Sequence, residues 1–107
     1  MLKAVILAHH DTVATAVQAI SVGVEVNLMY QGRTITVKTE EPILLGHKLA
    51  IKEHDKGEPI YKYGCVIGRA TQAIPAGAWV HVHNLEGLRA QGGTLSEKHG
   101  NGFNDRL

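Results

Sequence analysis

Apolar positions in this chain come in short runs, most of them the length of a strand. Residues 3 to 8 are an apolar run fit for a buried strand. Asp11 then offers an N-cap, Val13, Ala16, Val17 and Ile20 share one stripe, and Gly23 supplies a stop, so the spacing predicts one short helix near the N-terminus. Val24 to Tyr30 and Arg33 to Lys38 read as a hairpin joined at Gln31-Gly32, with Ile35 and Val37 inward and Thr34, Thr36 and Lys38 outward. Glu41-Pro42 interrupts the pattern, and Ile43 to Leu45 lead into Gly46-His47-Lys48. Leu49 and Ile51 then alternate with Lys48, Ala50 and Lys52, and His47 shares the parity of the buried pair, which places it half-buried at the strand's mouth. Asp55-Lys56-Gly57 is a turn, Pro59 to Tyr63 a further short strand, and Gly64, Gly68 and Gly77 punctuate the rest.

The segment Val80-His81-Val82-His83-Asn84 is the most informative. A strand's period of two puts both imidazoles on one face, with Trp79, and both valines on the other. A frame Ala-Ile-x-x-Gly-x-x-Val occurs at Ala19 to Val26 and again at Ala73 to Val80, with a looser copy in Ile51, Gly57 and Ile60. Its physical reading is a bulky anchor, a glycine that permits positive φ, and a strand re-entering the core. Such corners favour a mainly β architecture, a β-clip or similar small barrel, over an open sheet. After Leu85 the hydrophobic periodicity stops, which divides the chain into a domain over 1–85 and a C-terminal tail over 86–107 to be ordered by a partner.

Composition narrows the class. The 107 residues make one domain, and 44 % apolar content with only five aromatic residues requires a core of Val, Ile, Leu and Ala. A formal net charge of +1 without basic blocks argues against nucleic acid. The seven histidines are the outlier, and they make surface charge responsive to pH. Cys65 has no partner for a disulfide, the first apolar run is too short for a signal peptide, and no run approaches a bilayer span, so the expected location is cytoplasmic, away from membranes.

Taken in order, Gly46-His47-Lys48-x-Ala50, Gly57-Glu58, Lys62-Tyr63-Gly64, Ile67-Gly68-x-Ala70-Thr71, Ile74, Gly77 and His81-x-His83-Asn84 resemble the small subunit or amino-terminal SAF domain of the altronate and galactarate dehydratases. The likeness extends back to Asp11-x-Val13-Ala14-x-Ala16, similar to the family's opening helix. The resemblance implies a β-clip fold, a large dehydratase subunit as partner, and removal of water from a sugar-acid substrate with a divalent metal, iron or manganese, held mainly by that large subunit. The sulfolactate sulfo-lyase small subunit is a related possibility. One departure is that Leu88 to Gly93 keeps a single arginine where the family has a basic segment.

Dehydration of a hydroxy acid needs a base, an acid and positive charge near the carboxylate. His47 and Lys48 are the candidate catalytic pair, and His81, His83, Asn84 and Arg69 are candidates for substrate or partner contact. His81 and His83, two residues apart, are also candidate metal ligands, though a pair leaves the coordination sphere far from full. The plainer readings are solvated strand histidines, a surface lysine, and basic groups that keep the surface soluble. Lys62 is a weaker anion contact, Tyr63 a packing residue, Cys65 buried and inert, and His54 and His99 have no assigned role. Two functions stay open: a hydro-lyase small subunit inactive alone, or a stand-alone SAF-type module that binds a carbohydrate or acidic metabolite. Self-association into a homo-oligomer is compatible with either.

Overall fold

A computed structural model describes residues 2–87 of the chain. The strands are β1 (Ala4–Val5), β2 (Val13–Ala16), β3 (Glu25–Tyr30), β4 (Arg33–Lys38), β5 (Lys48–Ala50), β6 (Pro59–Lys62), β7 (Cys65–Ala70), β8 (Trp79–Val80) and β9 (Leu85–Gly87). They form an antiparallel sheet of order β1-β2-β5-β8, a β3-β4 hairpin and a sheet of order β6-β7-β9. The expected mainly β class is present. The sheets are separate and do not close into a barrel, which corrects that part of the expectation.

No helix occurs among the described residues, and the segment expected to be helical holds β2. The reason is burial on both faces. Ala14, Ala16 and Leu49 join the first core with Val26, Leu28 and Val37 of the hairpin. Val13, Ala50 and Val80 join the second with Ile60, Ile67 and Leu85. A strand covered on both sides has no reason to alternate, and a short continuous apolar run cannot be told from a helix by period alone. Asp11 caps no helix. Its carboxylate, fully buried, accepts hydrogen bonds from the Ala8, Tyr63 and Gly64 amides at 3.0, 3.0 and 2.8 Å, tying the β1–β2 link to the β6–β7 turn.

The hairpin at Gln31-Gly32 is where the pattern put it, with Val26 opposite Val37 and Leu28 opposite Ile35. Gln31 and Gly32 have φ of 52° and 83°, the two positive values a two-residue turn needs to match strand twist. Tyr63 and Gly64, at 58° and 74°, close β6–β7 in the same way. Cys65, expected to be buried, is exposed where β7 leaves that turn.

Four corners organise the rest, one more than the repeat in the sequence suggests. Isolated bridges join Ile20 to Ile43 and His54 to Ile74. Three residues after each bridging residue stands a glycine with positive φ: Gly23, Gly46, Gly57 and Gly77, between 79° and 91°. The chain thus passes twice through one sequence of corner, hairpin, corner, strand, with β5 shared in the middle. The third corner is anchored at His54 and not at Ile51, and Ile43-x-x-Gly46 is the copy that the sequence repeat leaves out. Gly77 is doubly constrained, because a β-carbon there would collide with the Lys38 carbonyl.

Candidate functional site

The second corner delivers His47 to the start of β5, and the fourth delivers Trp79 to β8, next to β5 in register. The indole Nε1 of Trp79 donates to His47 Nδ1 at 3.1 Å. Since an indole only donates, His47 Nδ1 is an acceptor, and the neutral ring carries its proton on Nε2. His47 is half-buried, as its parity predicts.

β8 lasts only two residues, so the strand expected over 80–84 is not formed. The chain instead turns at His81, whose carbonyl accepts from the Asn84 and Leu85 amides. Asn84 closes this turn with its own side chain: Oδ1 accepts from the His81 amide at 3.0 Å and Nδ2 donates to the Trp79 carbonyl at 2.9 Å. Val82 therefore stands at the turn's tip, 69 % exposed, where a regular strand would have buried it. The turn still gathers the rings. His81 stacks on Trp79 at 5.1 Å and 13°, His83 lies 4.9 Å from the indole, and His47 lies 5.0 Å from His81. Glu41 fixes the strand beneath by accepting from the Trp79 amide at 2.9 Å.

Lys48 goes elsewhere. It is opposite Val80 and Thr15 in register, on the side of the second core, and is 1 % exposed. His47, resting on Trp79, lies on the other side of the β5–β8 ladder, so the adjacent residues are not brought together as a pair. Burial, and then the charge of Lys62, lower the Lys48 ammonium from 10.5 to about 8. Lys62 is itself buried, with its ammonium 5.3 Å from the Tyr63 ring. Arg69 is on β7, its guanidinium donating to the Gly57 carbonyl at the third corner. Asn84 is committed to its own turn.

Among the described residues no three His, Cys, Asp or Glu side chains are grouped to hold a metal ion. His47 spends Nδ1 on the indole and bears a proton on Nε2, which makes it a donor and not a ligand. The cluster taken alone does not fit a metal, and His81 and His83 would need further ligands from beyond the described residues.

Trp79 and Glu41 are the site residues that the sequence did not assign. Trp79 shares the parity of the histidines, which was a usable signal. Glu41 is 38 residues from its partner and gave none. His99 and the Leu88 to Gly93 segment lie outside the described residues.

Residues 2–88 match the family described as the altronate/galactarate dehydratase SAF domain. The chain belongs to this family. It is 42 % identical over 62 residues to a protein of Chromohalobacter salexigens named (2R)-sulfolactate sulfo-lyase subunit alpha, covering 58 % of this chain and 66 % of that one. It is 39 % identical over 74 residues to altronate dehydratase of Escherichia coli, covering 69 % of this chain and 14 % of the relative. The altronate dehydratase of Bacillus subtilis is 36 % identical over 52 residues, covering 49 % and 10 %. The SAF domain thus spans a small part of the two dehydratases. No helix among its described residues is long and apolar enough to cross a membrane.

Proposed function

We propose that this chain is the small unit of a cytoplasmic hydro-lyase that dehydrates a sugar acid, completing a site whose larger part lies on a dehydratase-type subunit. The observation that carries this reading is the imidazole cluster around Trp79, half-buried at His47 and His81 and exposed at His83, in a segment that matches 14 % of a protein named altronate dehydratase. Loss of water takes a proton from the carbon beside the carboxylate. The C–H electron pair becomes the new double bond, and the C–O bond breaks as the leaving hydroxide is protonated to water. His47, its proton held on Nε2 by the indole bond, is the group in this chain suited to donate to the leaving oxygen or to a carboxylate. His83, exposed beside Trp79, is suited to substrate contact, and Asn84 acts as a positioning residue through the turn. Where the reaction uses a divalent metal, its ligands come mainly from the large subunit.

A second reading, favoured by the 42 % identity to a protein named as a separate subunit, is the small unit of a sulfo-lyase acting on sulfolactate. Both take a proton from the carbon beside a carboxylate, but the sulfo-lyase breaks a C–S bond and sulfite leaves with its electron pair, so there His47 is asked only to donate to the carboxylate. The deciding assay mixes this chain with the large dehydratase-type subunit of the same genome and a divalent metal, then screens aldonic acids, aldaric acids and sulfolactate. The chain alone should be inactive, and the mixture should turn over one class. His83→Ala should lower turnover by about tenfold or more with an unchanged circular dichroism spectrum. No turnover of any of these acids by the mixture would remove both lyase readings and leave a binding module.

A further inference from the structure

The four corners share one backbone path, so each serves as a control for the others. Their exposed tips carry Ser21-Val22, Leu44-Leu45, Asp55-Lys56 and Pro75-Ala76 between the bridging residue and the glycine. An Asp-Lys tip supports the same geometry as a Leu-Leu tip, so nothing in the turn itself asks for leucine. Yet Leu44 and Leu45 are 58 % and 64 % exposed, at the corner that delivers His47. The Gly46 amide donates to the Ala16 carbonyl at 2.9 Å, which sets Leu45 and the exposed Val17 on adjacent lengths of chain. Val82, between His81 and His83 in the turn, is also exposed. Apolar side chains are thus held in water around the candidate site and away from both cores.

We propose that Leu44 and Leu45, with Val17 beside them, form the surface on which the large dehydratase subunit seats, so that docking closes the imidazole cluster into a shared site. This rests on the reading of the chain as the small unit of a lyase. The occupant follows from position. Leu45 is two residues from His47, so a partner seated on the leucines sits beside the segment that carries this ring. In the Escherichia coli relative the matching segment is 14 % of the protein, so a much larger body is joined to the same domain there.

The test compares binding of the purified large subunit, by calorimetry, to the full-length chain and to Leu44→Asp/Leu45→Lys, which copies the tip of the third corner. The double variant should melt within a few degrees of the parent, because the same residues already sit on that turn at Asp55-Lys56. Its affinity should fall on the order of 30-fold or more, the scale of losing two central apolar anchors. Met29→Lys, an exposed apolar residue on the separate hairpin, should bind like the parent. Equal binding by the parent and the leucine variant would overturn the docking surface while leaving the lyase reading in place. Failure of the parent itself to bind would overturn both. A parent dimer that the leucine variant dissociates, with large-subunit binding retained, would assign the surface to a second copy and overturn the proposal. A Leu45→Cys thiol, in a Cys65→Ser background, that labels rapidly only after residues 88–107 are deleted would assign it to the chain's own C-terminal segment and overturn the proposal equally.

Discussion

Replacing His54 by isoleucine should stabilise this domain. Three of the four corners anchor their bridge with Ile20, Ile43 or Ile74, and the third uses a histidine that is 2 % exposed. Neither ring nitrogen of His54 makes a well-formed hydrogen bond, and the Lys52 backbone pulls only weakly on the ring. A buried polar group left unbonded costs about 1–3 kcal/mol, and isoleucine of similar volume removes that cost while adding apolar burial. A gain of about 2 kcal/mol at pH 7.5 is expected, which for a domain of this size raises the melting temperature on the order of 10 °C. The dependence on pH is the sharper signature. Burial lowers the His54 pKa from 6.5, against a smaller upward pull from Glu58, with Lys52 adding a lesser downward push and a backbone contact a lesser upward one. Between 6.5 and the lowered folded value, the unfolded chain holds a proton that the folded chain lacks. The parent therefore loses stability as pH falls through that window, and His54→Ile should flatten that part of the curve. Urea titrations of both proteins from pH 7.5 to 4.5 measure this directly. A variant less stable than the parent at pH 7.5, with an unchanged acid limb, would refute the reasoning and show that the corner needs the imidazole.

Asp11→Ala strips three backbone amides of a buried charged acceptor and should cost about 3 kcal/mol in urea denaturation. Lys48→Met should stabilise by up to about 3 kcal/mol at neutral pH, the shift from 10.5 to about 8 converted at 1.36 kcal/mol per unit. Because the folded Lys48 pKa is the lower, the parent should gain stability as pH rises from about 8 to 10.5, and the methionine variant should lack that rise in urea titrations carried up to pH 10.5. Trp79→Phe removes the indole donor, so the nitrogen-15 shifts of His47 should move from a single Nε2-protonated tautomer to a mixture. Asn84→Ala should loosen the His81–Asn84 turn at a cost of about 1–2 kcal/mol and broaden the His81 and His83 ring resonances.

Much of the framework was legible along the chain, because local rules set it. The Gln31-Gly32 hairpin follows from turn chemistry and alternation on a half-exposed ribbon, and the glycine corners follow from the need for positive φ. The family too was carried by local words, from Gly46-His47-Lys48 to His81-x-His83-Asn84. What failed was inference from periodicity wherever tertiary contact covers both sides of a strand. β2 alternates with nothing because hairpin and second sheet enclose it, so a helical stripe was visible that the fold never uses. Lys48 looks like a surface lysine for the same reason, and only the second sheet makes it a buried one. The imidazole cluster divides along this line. Its members are written at 47, 81 and 83, but the indole bond that sets the His47 tautomer spans 32 residues, and the side chain of Asn84 folds the turn that brings the rings to Trp79. Spacing fixes which residues a strand or turn can present. Which of them meet, and in what protonation form, is decided only when distant segments compete for the same hydrogen bonds and the same dry space.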